Sequence, residues 1–127
     1  MRYLLLIYSA EPTEQVPEDV MARENEAYNV LTSSIREKGI FEAGEALQPT
    51  ATATTVRVEN GRTVTTDGPF AETKEQLGGF YLVQCRDIDE AIEVAARIPA
   101  ARHGSIEIRP IWDLPSSESA EAVAVAG

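Results

Sequence analysis

The sequence predicts an α+β domain in the split βαβ order, strand–helix–strand twice over, with a β-hairpin inserted between the two halves. Three observations predict it. Two segments with helical spacing of apolar residues each lie between β-prone runs. Asn60-Gly61 separates two short Thr- and Val-containing runs, the strongest short signal for a hairpin, because a type I′ turn needs φ > 0 at both central residues. The 127 residues, 43% apolar and 25% charged, suffice for one core and are too few for two.

The elements follow in chain order. Tyr3 to Tyr8 is apolar at every position, so as a strand it must be covered on both faces. From about Glu18 to Lys38, Val20, Ala27, Leu31 and Ile35 recur at spacings of seven, four and four, which predicts an amphipathic helix stopped by Gly39. Ile40 to Leu47 reads as the second strand. Within 49–79, Thr55–Val58 faces Arg62–Thr65 across the turn. The breaker cluster Asp67-Gly68-Pro69-Phe70, polar Glu72–Glu75 and Gly78-Gly79 then make a loop with at most one helical turn. Phe80 to Cys85 is a further two-sided apolar strand. Asp87 and Glu90 form a capping-box pattern, and the helix after them sets Ile88, Ala91, Ile92, Ala95 and Ile98 along one side before Pro99 ends it. Ser105–Arg109 alternates as a last strand, and Pro110, Ile111 and Trp112 finish an ordered domain of residues 1–112, with 113–127 a frayed tail.

Without its hairpin this is the ferredoxin-like order, in which two helices cover one face of a four-stranded antiparallel sheet. The other face has no cover within the chain. Because residues 3–8 and 80–83 are apolar on both sides, that bare face predicts a homodimer, with sheet packed on sheet or on the inserted hairpin.

Charge narrows the partners. Asp and Glu number 21 against 11 Lys and Arg, a net charge of −10, and the excess is spread along the chain. Such a surface repels nucleic-acid phosphates and acidic membranes. One cysteine, Cys85, excludes an internal disulfide, and one histidine, His103, excludes the usual zinc cages within one chain. The longest apolar run is six residues, too short for a signal peptide or a membrane span, so the chain reads as soluble and cytoplasmic. Neither a P-loop nor a G-x-G-x-x-G pattern is present, and neither a metal nor a cofactor is expected; Glu42 with Glu45 is too unspecific a pair to assign a cation.

Chemistry is concentrated in two places. If Ile106 and Ile108 face the helices, Glu107 and Arg109 must lie on the bare face, where charges are costly unless paired or wetted. Either they pair with neighbours or they line a polar cavity, into which Glu45 of the second strand could also point. The second place is Asp67 in the Asp-Gly-Pro-Phe cluster. An Asp there either binds its own turn amides or presents a carboxylate over a cleft at a fixed angle. His103, on a loop between Arg102 and Gly104, is either exposed and inert or a base, and nothing around it suggests a nucleophilic triad.

Asp67-Gly68-Pro69-Phe70-Ala71-Glu72-Thr73-Lys74-Glu75 with Gly78-Gly79-Phe80-Tyr81 resembles the DGPF-type branch of the YCII-related family. Arg2-Tyr3 with Leu5–Tyr8, Gly44–Leu47 and Ile108–Ile111 extend the likeness over the ordered chain. The resemblance implies a ferredoxin-like, dimeric α/β-barrel protein. It also implies small enzymes that use a His and an Asp as an acid–base pair, with a chlorinated-aromatic dehydrochlorinase among the relatives. Asp67 matches that Asp, whereas the family's His near the first strand has no counterpart among Tyr3, Tyr8 and Ser9. DGPF-type proteins further resemble products encoded beside extracytoplasmic-function sigma factors.

Two functions follow. In the first, Asp67 is the base of a proton-transfer enzyme or binder of a small anionic or aromatic ligand, Arg109 holds the ligand, Glu45 and Glu107 line the pocket, and Phe70, Phe80 or Tyr81 form an aromatic wall. In the second, the chain is a regulatory or interaction module without turnover. The expected assembly is directly measurable: sedimentation at micromolar concentration gives a dimer, and a well-folded monomer contradicts the two-sided strand argument.

Overall fold

The computed structural model describes residues 1–115; the tail expected over 113–127 lies mostly outside the described residues. The N-terminal apolar run forms β1 (Arg2–Ser9). It pairs antiparallel with both β5 (Gln76–Gln84) and β6 (Ser105–Pro110), while β2 (Phe41–Ala46) adds to the far edge of β5. The sheet order is therefore β2-β5-β1-β6, with the two two-sided strands at its centre. α1 (Glu18–Glu37) and α2 (Ile88–Arg97) complete an α+β, ferredoxin-like domain. None of its described helices is long and apolar enough to cross a membrane.

Register decides what each face carries. Tyr3, Leu5 and Ile7 oppose Val83, Tyr81 and Gly79 on one side and Pro110, Ile108 and Ile106 on the other. With Leu31 and Ile35 of α1 and Ala91, Val94 and Ala95 of α2, these residues supply most of the core, in which Leu5, Ile35 and Val83 are wholly buried. Leu4, Leu6, Tyr8, Phe80 and Leu82 emerge on the opposite face, only half-buried within one chain.

Each helix buries part of the predicted stripe, Leu31 and Ile35 in α1 and Ala91, Ala95 and Ile98 in and just after α2, and departs from the rest. In α1 the inward residues are Glu24, Tyr28, Leu31 and Ile35, whereas Ala27 is exposed and Val20 largely so. The N-terminal half of the helix thus turns a polar and aromatic edge toward the sheet. In α2, Ile88 and Ile92 are exposed at 44% and 50%, and Val94 takes the core position. The Asp87 carboxylate accepts the Glu90 N–H at 3.0 Å, as its capping pattern predicts, but the Glu90 side chain accepts from Arg86 N–H instead of closing the box on Asp87.

The hairpin β3 (Thr54–Glu59) and β4 (Arg62–Asp67) has Asn60 at φ 52° and Gly61 at φ 76°, as the turn requires. It forms its own two-stranded sheet and projects as an arm, with Val56 and Val58 59% and 70% exposed. The stretch after it has no helical turn; the chain runs irregularly from Gly68 to Glu75, and β5 starts at Gln76, taking Gly78 and Gly79 into the strand with a bulge opposite Ile7 and Tyr8. The arm's root is tied to the body. Glu11 carboxylate oxygens accept both the N–H and the hydroxyl of Thr50, which hold that carboxyl below its ordinary value, and Glu11 N–H donates to Gln76.

A 3-10 turn, Pro99–Arg102, leads into β6, with Gly104 at the tightest passage in the fold. A Cβ there would stand 2.1 Å from the Tyr8 carbonyl oxygen, a backbone atom of the neighbouring strand that cannot swing aside. Gly104→Ala is expected to cost about 1–3 kcal/mol as an overpacked contact. An unchanged urea midpoint would show that the strands separate there without strain.

Candidate functional site

α1 and the β2–β5 side of the sheet diverge where the polar stripe of the helix replaces its apolar one. A cleft of about 590 Å³ opens between them. Its helix wall is built from Glu24, Tyr28 and Thr32 at successive i, i+4 positions, flanked by Asn25 and Asn29. The sheet wall is the end of three strands, with Ile7 and Ser9, Gly44–Ala46, and Gly78–Tyr81. Ala100 from the turn before β6 closes one side.

Tyr81 is fixed at the back. Its hydroxyl lies 2.8 Å from Thr32 Oγ1, and its ring meets Phe41 edge to face at 6.1 Å. Arg36 stacks over the other side of that pair, 4.8 Å from the Phe41 ring. The absence of a side chain at Gly44 makes this arrangement possible, because a Cβ would stand 3.0 Å from the Tyr81 ring. Burial pushes the Tyr28 phenol above its ordinary pKa; a backbone bond with Ala100 opposes the shift, and Glu24 and Tyr81 add to it. At neutral pH Tyr28 is therefore a phenol, a hydrogen-bond donor as well as an acceptor. The charged residues of the lining are both acids, Glu24 and Glu45.

The residues singled out in the sequence do not meet in one place. Glu45 and Tyr81 line the cleft, as does Phe80. Glu107 and Arg109 lie on the open face of β6, opposite Leu6 and Leu4, and pair with each other at 3.6 Å. Glu45 occupies the other edge of the sheet, in register with Phe80, so three strand spacings, about 14 Å, separate its strand from β6. Arg109 therefore cannot hold a ligand in the cleft of its own chain. Asp67 ends the arm's second strand opposite Thr54, and among the described residues its carboxylate has neither a hydrogen bond nor an ion pair. Phe70 is 79% exposed. Neither residue lines the cleft.

Glu24, Asn25, Tyr28, Asn29 and Thr32 escaped the sequence reading. Their signal was there: a tyrosine and a carboxylate four residues apart, continuing the Leu31–Ile35 face toward the N-terminus. His103 also comes close to the cleft, with Nε2 3.9 Å from Glu24 Oε1. At the opposite end of the sheet a second hollow, about 500 Å³, lies beside Met1, Lys38 and Cys85. Burial, reinforced by Glu90, raises the Cys85 thiol pKa and so works against its thiolate form.

Architecture and cleft together define a small ferredoxin-like α+β domain with one open sheet face and a polar, aromatic-backed pocket. The chain belongs to the YCII-related domain family, whose model matches residues 1–115. An uncharacterised protein of Rhizobium meliloti is 40% identical over 118 residues, covering 87% of this chain and 92% of the relative. Among solved structures, the 5-chloro-2-hydroxyhydroquinone dehydrochlorinase of Burkholderia phenoliruptrix, in complex with 2,5-dihydroxybenzoquinone, is similar in fold. It aligns with a TM-score of 0.51 at 12% identity, over 92% of this chain and 98% of that one.

Tyr81→Phe removes one hydroxyl and leaves Thr32 without its partner, at an expected cost of about 1 kcal/mol. Thr32→Val in the same background should cost little more, because the pair has already been broken. Additive losses in a double-mutant cycle would mean that the two hydroxyls act independently.

Proposed function

We propose that this chain is a cytoplasmic small-molecule-binding protein that takes a neutral, hydroxylated aromatic compound into the α1–sheet cleft and moves a proton on it. The observation that carries the reading is a cleft lined by Tyr28, Thr32, Tyr81 and two asparagines over a glycine-rich floor. A few polar groups set among apolar walls are the usual form of a small-ligand pocket. The acid on the helix wall favours a ligand that donates hydrogen bonds over an anion, since Glu24 would repel a second negative charge. The hydroxyquinone held by the dehydrochlorinase of similar fold supports a six-membered ring bearing oxygen substituents.

In the same reading two copies pair through their open sheet faces as a dimeric α/β barrel. That assembly would cover Leu4, Leu6, Tyr8, Phe80 and Leu82, while the arm, with Asp67 and Phe70, reaches toward the second copy. The exposure of Val56, Val58 and Phe70 favours a second reading, in which the arm is a docking element and turnover is absent.

Calorimetric titration with hydroquinone and with unsubstituted catechol, both neutral at pH 7, separates the two. Binding in the micromolar to millimolar range, weakened about tenfold by Tyr28→Phe or Asn29→Ala and untouched by Asp67→Asn, is expected. Loss of binding in Asp67→Asn alone would move the site to the arm, and no binding of either compound would leave the docking reading.

A further inference from the structure

We propose that Glu24 and His103 form a proton-relay pair at the mouth of the cleft, with Glu24 the base that touches the ligand and His103 the positioning residue behind it. The proposal rests on the cleft reading above and adds the group that takes the proton.

Glu24 lines the cleft one helical turn before Tyr28, and His103 Nε2 lies 3.9 Å from its Oε1. The two come from distant parts of the chain, brought together by the turn that carries the histidine. That turn is held firmly. His103 N–H and Gly104 N–H both donate to the Ala100 carbonyl, at 3.2 and 2.7 Å, and Ala100 itself forms part of the cleft wall. Gly104 packs so closely on the Tyr8 carbonyl that the backbone beside the imidazole has no room to move toward β1. The histidine is thus presented to α1 from a fixed support, and its partner is a carboxylate with one side on the ligand space.

A lone carboxylate is a weak base for a phenol or an activated C–H, because its conjugate acid is strong. An imidazole nitrogen can take the proton onward, which keeps the carboxylate ionised for the next transfer. The bookkeeping is simple: the ligand's O–H or C–H bond breaks toward Glu24, the carboxylic acid so formed passes its proton to Nε2 through one intervening water that spans the 3.9 Å gap, and the products are a ligand anion, a carboxylate and an imidazolium. No oxidant or co-reactant is consumed. Other titratable groups on the two elements that meet here include Tyr28 on the next turn of α1, Arg102 before the histidine, Glu18, Glu26, Arg36 and Glu37 elsewhere on α1, and Asp19 with Arg23, which are tied to each other at 3.6 Å further up the helix, while Glu45 of β2 borders the same cleft.

The test uses the full chain and 5-nitrobenzisoxazole, a planar aromatic whose base-promoted ring opening breaks one C–H and the N–O bond and releases a coloured phenolate. Saturable turnover is expected, with kcat falling about 100-fold in Glu24→Gln and at least tenfold near neutrality in His103→Gln. KM should change little, and Glu24→Asp should recover part of the rate. The pH dependence of kcat carries the histidine assignment, since its shape should change in His103→Gln while KM stays close to that of the wild type. Thermal melting shows that each variant is folded, and a variant that is not is replaced by Glu24→Ala or His103→Asn. A wild-type chain that binds the probe but opens it no faster than acetate at the same concentration overturns the pair and leaves the cleft as a binding site. Turnover unchanged by either substitution overturns it as well, and a probe that does not bind overturns the pair, while the cleft reading stands or falls separately with the hydroxylated aromatics.

Discussion

The antiparallel ladders that β1 makes on both of its sides are the constraint from which the rest of the structure is built. A strand apolar at six successive positions cannot lie at an edge without exposing one face and a row of backbone groups, so it takes the centre. Once Tyr3, Leu5 and Ile7 face the helices, the period of two fixes every neighbour: Ile106 and Ile108 go inward, and Glu107 and Arg109 go outward. The core is then closed by the few helix residues that reach this surface. What remains of α1, once Leu31 and Ile35 have satisfied the core, is free to carry polar groups, and the cleft occupies that remainder.

Most of the fold was legible because it rests on local periodicity. The two-sided strands, the capped second helix and the Asn-Gly hairpin each announce themselves within a dozen residues. The candidate site was less legible for a physical reason. Its walls come from α1, β2 and β5 together, so it depends on sheet order and on the rotation of a helix about its axis. Val20 and Ala27 fit the apolar spacing of α1 as well as Glu24 and Tyr28 fit the true inward face, and only the position of the sheet decides between them. Likewise, Glu45 and Arg109 share an open face, yet their strands are the two edges of the sheet, a separation that no spacing in the sequence encodes. His103 illustrates the same limit, since its meeting with Glu24 bridges two elements far apart in the chain.

Scarcity of histidine and cysteine shapes the chemistry available. The single thiol is buried and the single imidazole faces a carboxylate, so the polar work of the cleft falls to hydroxyls, amides and acids. Such a set handles hydrogen-bond donors better than anions.

The arm has a consequence for how the molecule holds together. Among the described residues its two strands pair in a ladder only with each other, and its residues bury almost nothing, so the four-stranded sheet does not lend it cooperativity. A lone ribbon of this length is marginal in water. Its amides therefore open on their own, at a free energy well below that of the domain. The chain comprises two levels of order: a body that unfolds as a whole, and a ribbon whose ordering is decided by whatever comes to lie against it.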